Sequence, residues 1–300
     1  MQQHLIYTTL GSLAALISAG AWAFGSILFR KLGDSVSPFG MNLGKGIIGM
    51  LYLGIMLLIF GIEPITGRTF LFLGLSGLLG IALGDTFFFK ALLSLGPRLT
   101  VLLGALGPVF TVILAVVFLH EKLSSLTWIG IFLTIAGVTW VLSRQLPAQK
   151  IIGTWAGGIK YAFLSIICMS VGIIFAKIGV ESCSPLQSTF IRILWATIGL
   201  LIWGGASGQI KSWMDPFQQK RLLKFIFFTV FIVIFGGFYL FIFALKYVDA
   251  SVATILNSTT PIFILPMTAL ILKEKTTRSE ILGATIAVCG IALIFMGQAG

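Results

Sequence analysis

Along most of the chain, apolar residues run for about twenty positions at a stretch, separated by short polar or charged breaks, with no two-residue alternation. A run of that length, wound as a helix rising about 1.5 Å per residue, crosses about 30 Å of hydrocarbon. A transmembrane barrel would alternate instead. The pattern predicts ten membrane helices, at 11–29, 39–60, 70–93, 97–119, 126–143, 155–176, 185–204, 222–245, 249–272 and 279–296. The longest connection, 205–221, is too short for a separate soluble domain, so any substrate has to bind among the helices.

The pattern also repeats. Adding 153 to residues 97–142 superposes them on 250–295 without a gap, so that Pro108, Glu121, Lys122, Gly130 and Gly137 meet Pro261, Glu274, Lys275, Gly283 and Gly290. A constant offset over more than forty residues reads as an internal duplication. It reaches the start of each half: Phe29-Arg30-Lys31-Leu32-Gly33 recurs as Phe175-Ala176-Lys177-Ile178-Gly179. Ser37-Pro38 and Ser184-Pro185 open helices 2 and 7 alike, with serine as the N-cap and proline in the first turn. The expected organisation is one repeat at 11–143, a polar linker at 144–154 and a second repeat at 155–296. Each repeat holds five helices. Five is odd, so the second copy enters the membrane from the opposite face, giving two inverted five-helix repeats, an architecture of many secondary transporters.

Composition agrees with an all-α integral membrane protein: only 10% of residues are charged, against about 25% in soluble domains. The net charge of +11 would suggest nucleic acid in a soluble protein, but here the cations sit at helix ends, where topology accounts for them, and nucleic acid is excluded as a partner. Thirteen helix-end cations face the side opposite the termini and four (Arg68, Lys122, Lys177, Lys246) face the side of the termini. By the positive-inside rule that puts the termini outside the cytoplasm. Ala21-Trp22-Ala23 imitates a signal-peptidase site, yet no basic region precedes it and the apolar run continues to Phe29, so the segment is expected as an uncleaved first helix. Cys168, Cys183 and Cys289 have no metal-ligand or redox spacing. His4 and His120 lie near the terminus and at an elbow. No phosphate-binding loop and no H-E-x-x-H occurs, so no catalytic residue, metal site or cofactor is assigned.

Several polar residues lie within the apolar runs. Lys45 and Arg192 each follow their helix-opening proline by seven residues and read either as contacts for an anionic part of a solute, as partners of a carboxylate, or as snorkelling structural cations. Asp85 reads as a proton-coupling or solute-binding carboxylate or as a structural partner for Lys45 or Lys90. Ser76, Gly80 and Gly84 recur every four residues and offer a face for close helix packing. Pro108 and Pro261 are expected as mid-membrane hinges, freeing the carbonyls of Gly104 and Asn257. Asn257-Ser258-Thr259-Thr260 is the most polar intramembrane cluster, and its hydroxyls either serve a solute or close the carbonyls that the kink opens. Trp22 either faces the interior or packs against lipid. Gly130 with Gly137, and Gly283 with Gly290, are two turns apart and mark one face each for close helix packing. The candidate solute contacts are Trp22, Asn42, Lys45, Asp85, Arg192, Tyr239, Asn257 and Thr260.

These features together resemble the EamA family of the drug/metabolite transporter superfamily, over essentially the whole chain. The resemblance is carried by Ala21-Trp22-Ala23-Phe24-Gly25, the helix-2 and helix-7 cations Lys45 and Arg192, the proline-apolar-phenylalanine triplets at 108 and 261, and the Glu121-Lys122 and Glu274-Lys275 elbows. The paired glycines also look like the dimer-forming helix of the small multidrug resistance proteins, which implies that helices 5 and 10 join the halves. The sequence departs from the family at Met169-Ser170-Val171-Gly172, where a tryptophan-glycine pair is usual, and at Lys45, where arginine is commoner.

The family implies cytoplasmic termini, against the charge count. It further implies a multi-pass protein of the bacterial plasma (inner) membrane that exports an amino acid, another metabolite or a drug-like compound. On that reading the partners are a small-molecule solute, membrane lipid and a proton as coupling ion. A flippase for lipid or lipid-linked sugar on the same fold and a membrane-embedded enzyme are the rival readings, the enzyme being disfavoured because only one carboxylate lies deep.

Overall fold

The computed structural model describes residues 2–119, 124–144, 154–273 and 277–298. The Glu121-Lys122 and Glu274-Lys275 elbows, His120 and most of the 144–154 linker lie outside the described residues. Within them the chain is helical with no strand. Seven helices are long and apolar enough to cross a bilayer, among them Gly67–Gly104, which takes in the expected third span and the start of the fourth. The remaining expected passes continue as helices Gly107–Leu119, Ser125–Arg144 and Arg278–Gln298. The first helix is longer than its apolar core suggests, running Gln2–Leu32.

Local chemistry sets the helix starts. Ser37 and Ser184 accept from the amides of Gly40 (3.2 Å) and Gln187 (3.3 Å), with Pro38 and Pro185 in the first turn where a missing N–H costs nothing. Thr66 and Thr154 cap Gly67–Ser76 and Trp155–Val180 in the same way. Gly96, at φ 79°, provides the left-handed residue that separates the third pass from the fourth. The connection after Pro185–Ala206 is folded rather than open: Ile210–Met214 and a 3-10 turn, Asp215–Gln218, bury Trp213 and Phe217, and the Trp213 ring stacks on Phe39 at 4.9 Å.

Two features of the backbone are absent from the sequence reading. The third pass contains a π-helical stretch, Gly77–Asp85, and the eighth contains another, Ile232–Tyr239. Under the 153-residue offset these fall almost on each other. Side chains of neighbouring helices take up carbonyls along them: the Asn42 amide donates to Ile81 (2.9 Å) and Ala82 (3.2 Å), Ser165 to Gly84 (2.9 Å) and Ser18 to Gly237 (2.9 Å). In lipid such polar backbone is tolerated where protein satisfies it.

The fourth and ninth passes differ from expectation too. They are broken, not kinked. One helix ends at Gly104 and the next starts at Gly107; one ends at Asn257 and the next starts at Thr260. The gaps, 105–106 and 258–259, are again 153 apart. Pro108 and Pro261 therefore sit in the first turn of a new half-helix, where proline is accommodated, and not in a helix interior.

Helices Ser125–Arg144 and Arg278–Gln298 pack against each other through the paired glycines. A Cβ on Gly137 would lie 2.5 Å from the Ala287 nitrogen and 2.7 Å from the Gly283 oxygen; one on Gly290 would lie 2.5 Å from the Thr134 nitrogen and 2.7 Å from the Gly130 oxygen. The obstacle in each case is backbone, which cannot rotate away, and the contact is nearly symmetric between the repeats. Gly137→Val or Gly290→Val is expected to force the helices apart and lower stability by about 1–3 kcal/mol or more. The melting temperature of the detergent-purified protein checks this, and an unchanged value would refute the close packing.

Candidate functional site

A central cavity opens among the first, third, fourth, sixth, seventh, eighth and ninth passes. The centre of a water molecule can occupy about 180 Å³ of it. At roughly 10–15 Å³ per water on that measure, the space suits a solute of about a dozen non-hydrogen atoms. Its walls are mainly apolar, with Trp22, Phe88, Phe238 and Phe241 forming the aromatic part. The Trp22 ring meets Phe238 edge-on at 5.0 Å and Phe88 at 6.2 Å. Both halves of the chain contribute.

Asp85 and Arg192 are the charged residues of the lining. Asp85 ends the first π-helical stretch and accepts a short ion-paired hydrogen bond from Lys45, whose side chain is fully buried. The Lys45 ammonium also lies 5.0 Å from the Phe238 ring and 5.4 Å from Phe89. Arg192 is held differently. Its Nε donates to the Ser76 hydroxyl (2.8 Å), which donates onward to the Gly172 carbonyl (2.6 Å). The small face foreseen at Ser76, Gly80 and Gly84 is the surface on which this happens: a Cβ on Gly80 would stand 3.5 Å from the Gly172 Cα and 3.7 Å from Arg192 Nη2.

The broken helices supply the polar part. The hydroxyls of Ser258, Thr259 and Thr260 donate to the carbonyls of Thr254 (2.8 Å), Leu256 (2.7 Å) and Asn257 (2.6 Å), so closing opened backbone is their role here. The Asn257 side chain is not so used: its Oδ1 is buried and has no partner among the described residues. The hydroxyls of Thr100, Thr111 and Thr254 share that condition, and all four residues line the cavity.

Of the sequence candidates, the fold brings Trp22, Asp85, Arg192, Asn257, Thr260 and Pro261 to the cavity. Three others lie elsewhere. Asn42 is buried against the π-helical stretch, Lys45 stands behind Asp85, and Tyr239 packs beside Phe243 at 6.5 Å between ring centres. Pro108 also falls outside the lining, its neighbour Gly107 taking the place. Lys90, a possible partner of Asp85 by sequence, lies over the rings of Phe39 and Tyr161 instead, at 4.9 and 5.0 Å. The cysteines are free.

Sequence reasoning missed Arg98, which sits just past the Gly96 break. Arg98 donates to Glu280 (3.1 Å) and Thr268 (3.1 Å), tying the first half of the chain to the second. Glu280 in turn accepts from the Thr277 amide (2.7 Å) while its own amide donates to the Thr277 hydroxyl (3.2 Å). That reciprocal pair is a capping box, legible as Thr277-x-x-Glu280.

Long apolar helices around a cavity reached from both halves make this a multi-pass α-helical membrane protein. The model of the EamA-like transporter family matches residues 9–143 and again 156–296. The chain belongs to that family.

Similar proteins include an uncharacterized transporter of Archaeoglobus fulgidus, 24% identical over 95% of this chain and 97% of that one. The uncharacterized inner membrane transporter YhbE of Escherichia coli K12 and an uncharacterized transporter of Helicobacter pylori are each 27% identical over 46% of this chain. These two matches span 42% and 44% of those relatives, less than half their length. A crystal structure aligns over 98% of this chain and 97% of its own with a TM-score of 0.68 at 14% identity, a likeness of fold alone.

The ion pair generates a test. Asp85→Leu leaves Lys45 buried without its counter-ion and should cost about 3–5 kcal/mol, whereas Lys45→Met with Asp85→Leu should recover most of that loss. Thermal unfolding of the two variants decides it, and equal destabilisation would mean that the pair is not the interaction at stake.

Proposed function

We propose that the protein is a secondary transporter that exports a small organic solute, by alternating access through the cavity between two inverted five-helix repeats at 11–143 and 155–296 joined by the 144–154 linker. The observation that carries this reading is the pair of broken helices. Helices discontinuous at equivalent repeat positions, meeting beside a cavity lined by both halves, are how many secondary transporters place solute and coupling-ion sites. Orphaned polar atoms at those breaks support it, because a buried oxygen without a partner costs about 1–3 kcal/mol unless a solute or water bonds to it.

Asp85, the carboxylate in the lining, is the residue assigned to proton coupling. Location in a bacterial inner membrane follows the E. coli relative's description.

Thermal stabilisation of the purified protein by amino acids, other metabolites and cationic drugs, followed by flux in proteoliposomes, tests the function. A stabilising solute is expected to be moved by the wild type, and Asn257→Ala is expected to weaken its binding roughly 5–100-fold through loss of one hydrogen bond. Stabilisation by lipid-linked compounds alone would transfer the reading to a flippase. Flux that ignores an imposed pH gradient would remove Asp85 as the coupling site.

A further inference from the structure

Two cations and one carboxylate are buried together. Lys45 and Arg192 both act electrostatically on Asp85, and Lys45 takes its hydrogen bond. The cluster therefore carries one surplus positive charge in a region walled by apolar and aromatic side chains. A buried charge without a partner is costly in such surroundings.

That surplus has an address. Arg192 spends Nε on Ser76, and its two Nη nitrogens have no hydrogen-bond partner among the described residues. Arg192 is 5% exposed, lines the cavity, and faces a glycine, Gly80, that leaves room beside Nη2. A guanidinium with its fork free in a mainly apolar cavity matches a carboxylate bidentately.

We propose that the cavity selects organic monoanions: a carboxylate on the Arg192 fork, with an apolar or aromatic body against Trp22, Phe88, Phe238 and Phe241. A donor group on that body meets Asn257 Oδ1. This rests on the reading of the cavity as the transport site and adds the class of solute. Charge balance decides between classes. An anion neutralises the surplus, a zwitterion leaves it as it was, and a cation adds to it. The carboxylate that could receive an ammonium, Asp85, is already engaged by Lys45.

The test uses the full-length purified protein and four compounds with one shared body: phenylpropionate, phenylpropanamide, phenylpropylamine and phenylalanine. Binding is read from melting-temperature shifts across concentration. Phenylpropionate is expected to bind roughly 10–100-fold more tightly than the amide, the span of a charge-assisted hydrogen bond, with the amine weakest. Arg192→Gln should remove that preference by weakening the acid far more than the amide, and Arg192→Lys should retain part of it.

Equal shifts for acid and amide, a preference for amine or zwitterion, or no shift with the acid overturns the proposal. The wild-type series stands by itself if Arg192→Gln fails to fold. Proteoliposome flux of the same compounds separates the two readings: amine or zwitterion moved while the acid is ignored sinks the anion proposal and leaves a transporter, whereas acid bound but not moved leaves the anion site and sinks transport.

Discussion

In hydrocarbon every backbone N–H and C=O must find a partner inside the protein, and the departures of this chain from a regular α-helix are built around that requirement. Two π-helical stretches and two helix breaks interrupt passes that would otherwise be continuous. Carbonyls along them are met by a side chain from another helix or from the next turn: Asn42, Ser165 and Ser18 at the π-helical stretches, and Ser258, Thr259 and Thr260 at the second break. Satisfying the backbone thus consumes most intramembrane hydroxyls. Among the described residues, buried polar side-chain atoms without a partner are left at Asn42, Thr100, Thr111, Ser188, Trp195, Thr254 and Asn257, and four of these residues, Thr100, Thr111, Thr254 and Asn257, line the cavity.

The same economy governs charge. Lys45 and Arg192 occupy matching places after matching helix starts, yet their fates differ with the chemistry of their heads. An ammonium is a compact point charge, and Lys45 disappears entirely against a single carboxylate. A guanidinium is a planar fork, and Arg192 is anchored at one nitrogen with the remainder turned to the cavity. The counterpart of Asp85 in the second half is Phe238, which offers an aromatic ring where the first half offers a counter-ion. The duplicated plan thereby acquired one closed charge pair and one open cation.

Much of the scaffold was legible in the sequence because membrane helices announce themselves through length and composition. The serine-proline starts at 37–38 and 184–185, and the close glycine face at 137 and 290, follow from single-residue chemistry and stand as read. The π-helical stretches were not legible, since an extra residue per turn leaves the apolar run unchanged. Proline marked the broken passes correctly but suggested kinks, because a proline in a first turn and one in a helix interior look alike in a linear string. For the site, Trp22, Asp85, Arg192, Asn257 and Thr260 could be found as polar or aromatic residues at depth. Depth alone could not separate them from Asn42 and Lys45, which are as buried and as polar but face other helices.

Inverted repeats supply two conformations of nearly the same shape, and the side chains decide how nearly equal they are in energy. The tie from Arg98 to Glu280 and Thr268 joins the two halves at one end of the bundle. The repeat-equivalent positions of Arg98 and Glu280 hold Ser251 and Thr127, which carry no charge. If the halves rock as proposed, opening the end held by Arg98 breaks charge-assisted bonds that the opposite movement leaves intact. At about 1.5–3 kcal/mol for a hydrogen bond to a charged group, one such bond favours the resting state by roughly 10–100-fold. A solute then has to bind the less populated state better by a comparable factor to drive the cycle, so the strength of that tie and the affinity of the cavity are set against each other.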